Sequence, residues 1–508
     1  MKIKISRLLI LCFAVVAFIG CYEDKGHYDY KELSTFYVDT AGAKTSYTVL
    51  VFDRLEINPK VIYEGDPTNL AYSWVVMDVA TNLIPWQSKI SEEKNLSEII
   101  SAVPGRYYID FLVTEKSTGR MTSFLYDLRV EATGAGMLVL YQRDGLTDFG
   151  LITPTYLIGG TEEDKVSLDI YTFSNPDHPL TGAPVGIGGY KYATTEYISV
   201  FTEDDGVRLS PVDYSITHEF KDLFLILPEQ RKIMAYCCPM PVALNTERCD
   251  PAELLINDDV YYVNYVPAPM GAGANSCYGE RSVKKESNIV SLAHINSSSV
   301  VFDHKSSRLM QGSVTGSVAY LKDELSESLD MDVLHLARNS SANYYVNMVL
   351  KGKGTGNESK RYFYIADINV TFSYIRKWDI SSYTGIAQSE VFAFAQRAPV
   401  AYYTPGGKIY QIKFDDMSNI LGDQAIEVWA GATGETVTAM KFCPHPGRDL
   451  GGQDMRDRYL FVGTWNESAQ EGKVYTFEVN LSTDGSLVKT PIATYGGFGK
   501  IKDFAYKF

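Results

Sequence analysis

Apolar and polar residues alternate in short runs along most of this chain, and no long stretch carries a helical period. Two-residue alternation bounded by Gly, Pro, Asn and Asp predicts half-buried strands joined by turns. In the first part such runs cover residues 55–59, ending at Pro59, then 71–76 with Trp74 at the centre. A third, 107–114, follows the Pro104-Gly105 turn, and a fourth, 123–130, follows Ser117-Thr118-Gly119. Short alternating strands around a central Trp predict an immunoglobulin-like sandwich over 35–133. Thr133-Gly134-Ala135-Gly136 reads as a linker. From 137 to 508 the pattern becomes repeated hairpins: 137–141 with 149–152, 197–201 with 207–209, 400–403 with 409–412, and 458–462 with 473–477. Short apolar strands at 289–293, 391–394, 437–440 and 501–506 look alike. Val290 and Val391 are 101 residues apart, and Val391 and Val437 are 46 apart. A period near that length predicts a β-propeller, and 372 residues hold about seven or eight blades. The last strand, 501–508, is expected to share a blade with the hairpin at Met137. The fold class is therefore all-β: a sandwich followed by a propeller.

The start of the chain adds an address. Lys2, Lys4 and Arg7 precede an apolar run from 8 to 19 that is too short to span a bilayer comfortably, and Gly20-Cys21 follows. This resembles a bacterial lipoprotein signal, although Phe18 and Ile19 stand where that signal favours Leu and a small residue. The resemblance implies a signal peptide over 1–20, a lipid on Cys21 and a tether over 21–34. Glu23-Asp24 is similar to the export signal for the outer face of the outer membrane. The run Cys21-Tyr22-Glu23-Asp24-Lys25-Gly26-His27-Tyr28-Asp29-Tyr30 resembles the opening of PKD-like lipoproteins of Bacteroidota. Tyr72-Ser73-Trp74, Pro104-Gly105-Arg106-Tyr107-Tyr108 and the closing strand to Val130 are similar to the polycystic-kidney-disease (PKD) type of sandwich. Met77-Asp78-Val79-Ala80 departs from it where a glycine-aspartate turn is usual. The family resemblance implies an outer-membrane, outward-facing protein beside a TonB-dependent transporter of a starch-utilisation-type uptake complex.

Charge narrows the partners. The formal net charge is −15, and loss of Lys2, Lys4 and Arg7 leaves −18. Phosphate backbones are repelled by such a surface, so nucleic acid is not an expected partner. The 36 Tyr and 23 Phe fit a β-rich chain, since aromatic rings favour half-buried pleated faces.

No catalytic or metal motif emerges. No two histidines stand three to five residues apart, so no zinc-helix spacing exists, and Cys443-Pro444-His445 lacks a second half. There is no Gly-x-Ser-x-Gly elbow. Asn296-Ser297-Ser298-Ser299 before Asp303-His304 reads as a polar turn rather than a triad. Gly271-Ala272-Gly273-Ala274 lacks the Lys-Ser/Thr of a phosphate loop. No cofactor is expected. Among the cysteines, Cys249 and Cys277 are candidate disulfide partners within the group formed with Cys237 and Cys238, and buried thiols are the alternative. Loops at 267–285, 351–360 and 447–458 are long enough to carry binding. Trp465 and Asn466 at a hairpin end, and Tyr278, are candidate ligand contacts. The expected role is display of a propeller that binds an extracellular peptide, protein or glycan. A polysaccharide hydrolase or lyase and a protein–protein scaffold stay open as alternatives.

Overall fold

The computed structural model describes residues 35–79, 89–157, 163–192, 195–238, 252–265, 278–281, 289–295, 298–313, 318–320, 323–326, 328–339, 345–368, 372–415, 420–422, 424–444, 454–481 and 485–508. Cys21, Cys249, Cys277 and most of the loops at 267–285 and 447–458 lie outside them. The chain divides into two compact units. One draws on residues up to 47, 56–98 and 107–128, the other on 48–55, 99–106 and 129–508.

The sandwich carries a five-stranded sheet in the order Ser46–Leu50, Met121–Glu131, Gly105–Glu115, Leu70–Asp78, Lys89–Ser91. Trp74 pairs with Phe111 across the sheet and is fully buried. Its ring lies 4.3 Å from Phe111 and 5.9 Å from Tyr126, and its Nε1 donates to the Glu93 carbonyl at 2.8 Å. A buried indole keeps its N–H satisfied in this way. The exposed and buried positions of Met121–Glu131 alternate, as its sequence does.

The second unit is a β-propeller. Among the described residues it has seven blades, each a sheet of four or five strands. The innermost strands of blades 2 to 7 are Pro184–Tyr192, Ile233–Cys237, Ile289–Ile295, Met331–Arg338, Val391–Phe394 and Glu435–Phe442. Blade 1 takes its innermost strand from the end of the chain, Lys500–Lys507, and its next from Gly136–Arg143. The two run antiparallel, with Met137 opposite Tyr506. Consecutive innermost strands neighbour one another all the way round, and blade 7 meets blade 1. The four look-alike strands of the sequence are thus the innermost strands of blades 4, 6, 7 and 1. The 101-residue gap spans two blades because blade 5 stands between.

Blade faces are apolar and pack on their neighbours. Val400, Tyr402, Leu460, Val462 and Phe477 join blades 6 and 7, and Val139, Phe461, Ile501 and Phe504 join blades 7 and 1. Blade 2 approaches blade 1 so closely at Gly189 that a Cβ there would overlap the Tyr506 carbonyl oxygen. Asp503 ties three blades together: it pairs with Lys441 of blade 7 at 2.9 Å and accepts from the Ile187 N–H of blade 2 at 3.5 Å. Burial favours the neutral Lys441 amine, but Asp503 outweighs this and raises its pKa. About a third of the Lys441 side chain stays open.

Candidate functional site at the channel mouth

Innermost strands begin at one end of the ring, and the turns between second and third strands of blades 1, 2 and 6 reach the same end. Two cavities open there, of about 720 and 440 Å³. Both are within the range of small-ligand sites, roughly 300–1,000 Å³. Pro184, Glu203 and Lys502 line both, so the two adjoin. Six blades contribute. Blade 1 supplies Gln142, Lys500 and Lys502, and blade 2 supplies Glu203 and Asp204. Tyr236 comes from blade 3, His335 from blade 5, Glu390 from the entry to blade 6, and Thr436 and Thr438 from blade 7.

The chemistry of the lining is polar and mixed in charge. His335 is stacked on Phe394, with ring centroids 5.6 Å apart and 14° between planes, and lies 6.2 Å from Phe392. Burial pushes its pKa down to about 4, so the imidazole is neutral at physiological pH. A neutral imidazole offers one donor and one acceptor. Its surface is only partly closed, consistent with its place on the cavity wall.

Tyr236 connects this wall to a buried polar cluster between blades 2 and 3. Its hydroxyl donates to Glu253 Oε1 at 2.7 Å. Glu253 also accepts from Ser199 Oγ at 2.9 Å, Tyr197 Oη at 2.7 Å, Asn264 Nδ2 at 2.8 Å and Arg208 Nη2 at 3.0 Å. Glu253 and Arg208 are 0% and 1% exposed. Burial alone raises the Glu253 pKa. Arg208 and the hydrogen bonds from Tyr236, Asn264 and Tyr197 outweigh it and hold the carboxyl below its ordinary range. The Arg208 guanidinium stacks 4.4 Å from the Tyr197 ring and 5.3 Å from that of Tyr278. This cluster fixes Tyr236 and the seam between blades 2 and 3.

The residues singled out from sequence fall elsewhere. Tyr278 is wholly buried, packed on Phe201 and Phe224, and offers no face to a ligand. Its flanking Gly and Ser residues read as an open loop, but the blade 2–3 seam closes over the ring. Trp465 and Asn466 do end a strand, Tyr459–Asn466, at a turn of blade 7. Trp465 Nε1 donates to Glu467 Oε2 at 2.6 Å. Asn466 Oδ1 accepts from Ser468 N and Ala469 N at 3.1 Å and so builds the turn. Neither lines the two cavities. Ser298 and Ser299 belong to the strand Ser298–Asp303 instead of a turn. His304 Nδ1 meets Asp332 Oδ1 at 2.8 Å, while Ser299 Oγ is hydrogen-bonded to Tyr261 Oη at 2.5 Å and donates to the Gly312 carbonyl at 3.1 Å. Sequence reasoning missed Lys500, Lys502 and His335, for which no local motif exists.

Comparison with known proteins follows this geometry. Residues 21–184 match the PKD-like family. No curated protein matches the chain. Among solved structures, it is similar to a quinoprotein alcohol dehydrogenase-like protein from Bacteroides thetaiotaomicron, at 14% identity over 90% of this chain and 95% of that one, with a TM-score of 0.45. It is also similar to the apocarotenoid oxygenase of Synechocystis, at 9% identity over 89% of this chain and 96% of that one, with a TM-score of 0.40.

Proposed function

We propose that this protein, whose residues 21–184 match the PKD-like family, is a lipid-anchored surface protein whose propeller binds an extracellular nutrient at its channel mouth. Cys21 carries the anchor in this reading, the cell is a member of the Bacteroidota, and the protein serves a TonB-dependent uptake system. One observation carries the binding role: adjoining cavities of ligand size, lined with polar groups from six blades. A site assembled from rigid strands holds its groups in place without a ligand, which lowers the ordering cost of binding.

The test is calorimetry with the chain from Tyr22 onward against panels of peptides and oligosaccharides. A binder is expected, and Thr436→Trp, which fills the mouth from an exposed strand position, is expected to abolish its binding. Binding that survives Thr436→Trp places the ligand elsewhere and overturns the site. Turnover of any panel member overturns the non-enzymatic reading in favour of a hydrolase or lyase. For the anchor, Cys21→Ser is expected to move the protein from the membrane fraction to the soluble one.

A scaffold role draws on a different observation. Leu225, Ile226 and Leu227 are consecutive and 67%, 76% and 51% exposed. Contiguous exposed apolar side chains mark surfaces that partners cover. Loss of a co-purified partner from the membrane on Ile226→Ser, with nutrient binding intact, supports that role.

A further inference from the structure

We infer that the smaller cavity of the mouth is an oxyanion subsite, and that the nutrient is an acidic oligosaccharide with single carboxylates spaced by neutral, hydroxyl-bearing units. This deepens the binding role proposed above and rests on it.

The site is built by two neighbouring innermost strands. On blade 1, Lys500 and Lys502 are exposed and Ile501 between them is buried. On blade 7, Thr436 and Thr438 are open to solvent or half-buried while Val437 between them is buried. The two strands are adjacent at the ring closure, and all four polar side chains line the 440 Å³ cavity. Strand alternation therefore sets a pair of ammonium groups beside a pair of hydroxyls on one wall.

Some lysines of the chain are held in ion pairs and others are not. Lys232, Lys353, Lys408, Lys441 and Lys473 each hold a carboxylate within 4 Å. Among the described residues neither Lys500 nor Lys502 does, although the chain has an excess of acidic groups. Unpaired ammonium donors in a concave site favour a carboxylate, which takes charge-assisted hydrogen bonds from lysine and further bonds from hydroxyls.

The rest of the lining limits what carries that carboxylate. Glu203 and Glu390 line the same cavity, together with Gln142 and Gln388. Carboxylates accept hydrogen bonds from sugar hydroxyls and repel a second nearby anion. A densely charged polyanion is therefore disfavoured, whereas isolated acid groups between neutral sugar units match both features. Peptides with acidic side chains share the carboxylate but, even where serine alternates with glutamate, offer fewer hydroxyls per unit than a sugar for Glu203 and Glu390 to accept from.

The experiment is calorimetry of the chain from Tyr22 and its K500Q/K502Q variant. The probes are an alternating uronate–hexosamine tetrasaccharide, its carboxyl-reduced neutral form, and a tetrapeptide of alternating Glu and Ser. The expected result is at least about tenfold tighter binding of the acidic than of the neutral saccharide, a preference that shrinks with added salt. K500Q/K502Q is expected to erase that preference. A preference that survives K500Q/K502Q overturns the subsite. So does tighter binding of the peptide than of the acidic saccharide. Equal binding of acidic and neutral saccharides, blocked by Thr436→Trp, overturns the acid specificity and leaves the mouth as a binding site. No binding of any probe overturns the acidic-saccharide proposal, and the peptide and oligosaccharide panels then decide the broader reading on their own.

Discussion

Replacing Glu253 by Ala is expected to destabilise the propeller more than any surface substitution. The carboxylate is fully buried and accepts from five side chains, one of them the buried Arg208. Its removal leaves a guanidinium in the interior without a counter-charge, and breaking a buried pair from one side costs about 3–5 kcal/mol. Tyr197, Ser199, Tyr236 and Asn264 lose an acceptor at the same time, each worth about 1–3 kcal/mol when left unsatisfied. These terms overlap, so the upper part of the 3–5 kcal/mol range is expected for Glu253→Ala. Arg208→Met/Glu253→Met removes both charges and fills the space, so it is expected to recover much of that loss. The assay is urea unfolding followed by far-ultraviolet circular dichroism. A Glu253→Ala loss below about 1 kcal/mol refutes the reasoning, because a buried unpaired charge costs more than that. A double variant as unstable as the single refutes it too, since the cost then lies in packing. The pH dependence has a definite sign. The folded-state pKa is depressed, so the stabilisation is present above the ordinary value of 4.5 and lost as pH falls through the folded-state pKa.

Two other titrating groups give further tests. His335 has a folded-state pKa of about 4 against 6.5, so its stabilisation is present above 6.5 and declines as pH falls toward 4. At 1.36 kcal/mol per unit the ceiling is about 3 kcal/mol, reduced by channel water. His335→Phe is expected to flatten this acid limb in unfolding midpoints. Lys507 donates to the Thr133 and Gly134 carbonyls at 2.8 and 3.1 Å, and burial lowers its pKa to about 8. Its stabilisation is fully present above 10.5 and lost as pH falls through 8. The thermal midpoint is expected to rise from about pH 8 to about pH 10, and Lys507→Met is expected to remove that rise.

Most of the fold was legible because both units are built from local alternation. The Trp74 strand, the 123–130 strand and the four named hairpins appear where their patterns place them. The innermost strands of blades 2 and 5 were harder. Pro184–Tyr192 is interrupted by glycines demanded by close blade approach, and Met331–Arg338 carries Asp332 and His335. The mouth was not legible at all. Lys502, Glu203 and His335 share a cavity only because the ring brings together three segments far apart in sequence, and nothing beside each residue marks it. Tyr278 was misread for the same reason: what buries it comes from another blade.

The join between the two ends of the propeller sets a clock on its assembly. Gly136–Arg143 leaves the ribosome well before its partner Lys500–Lys507. At roughly 5–20 residues per second the intervening chain takes about 20–70 s to appear. Throughout that interval the first strand presents an open edge, the kind that recruits wrong partners. Quality of the folded protein therefore depends on what shields residues 136–143 while the chain is unfinished.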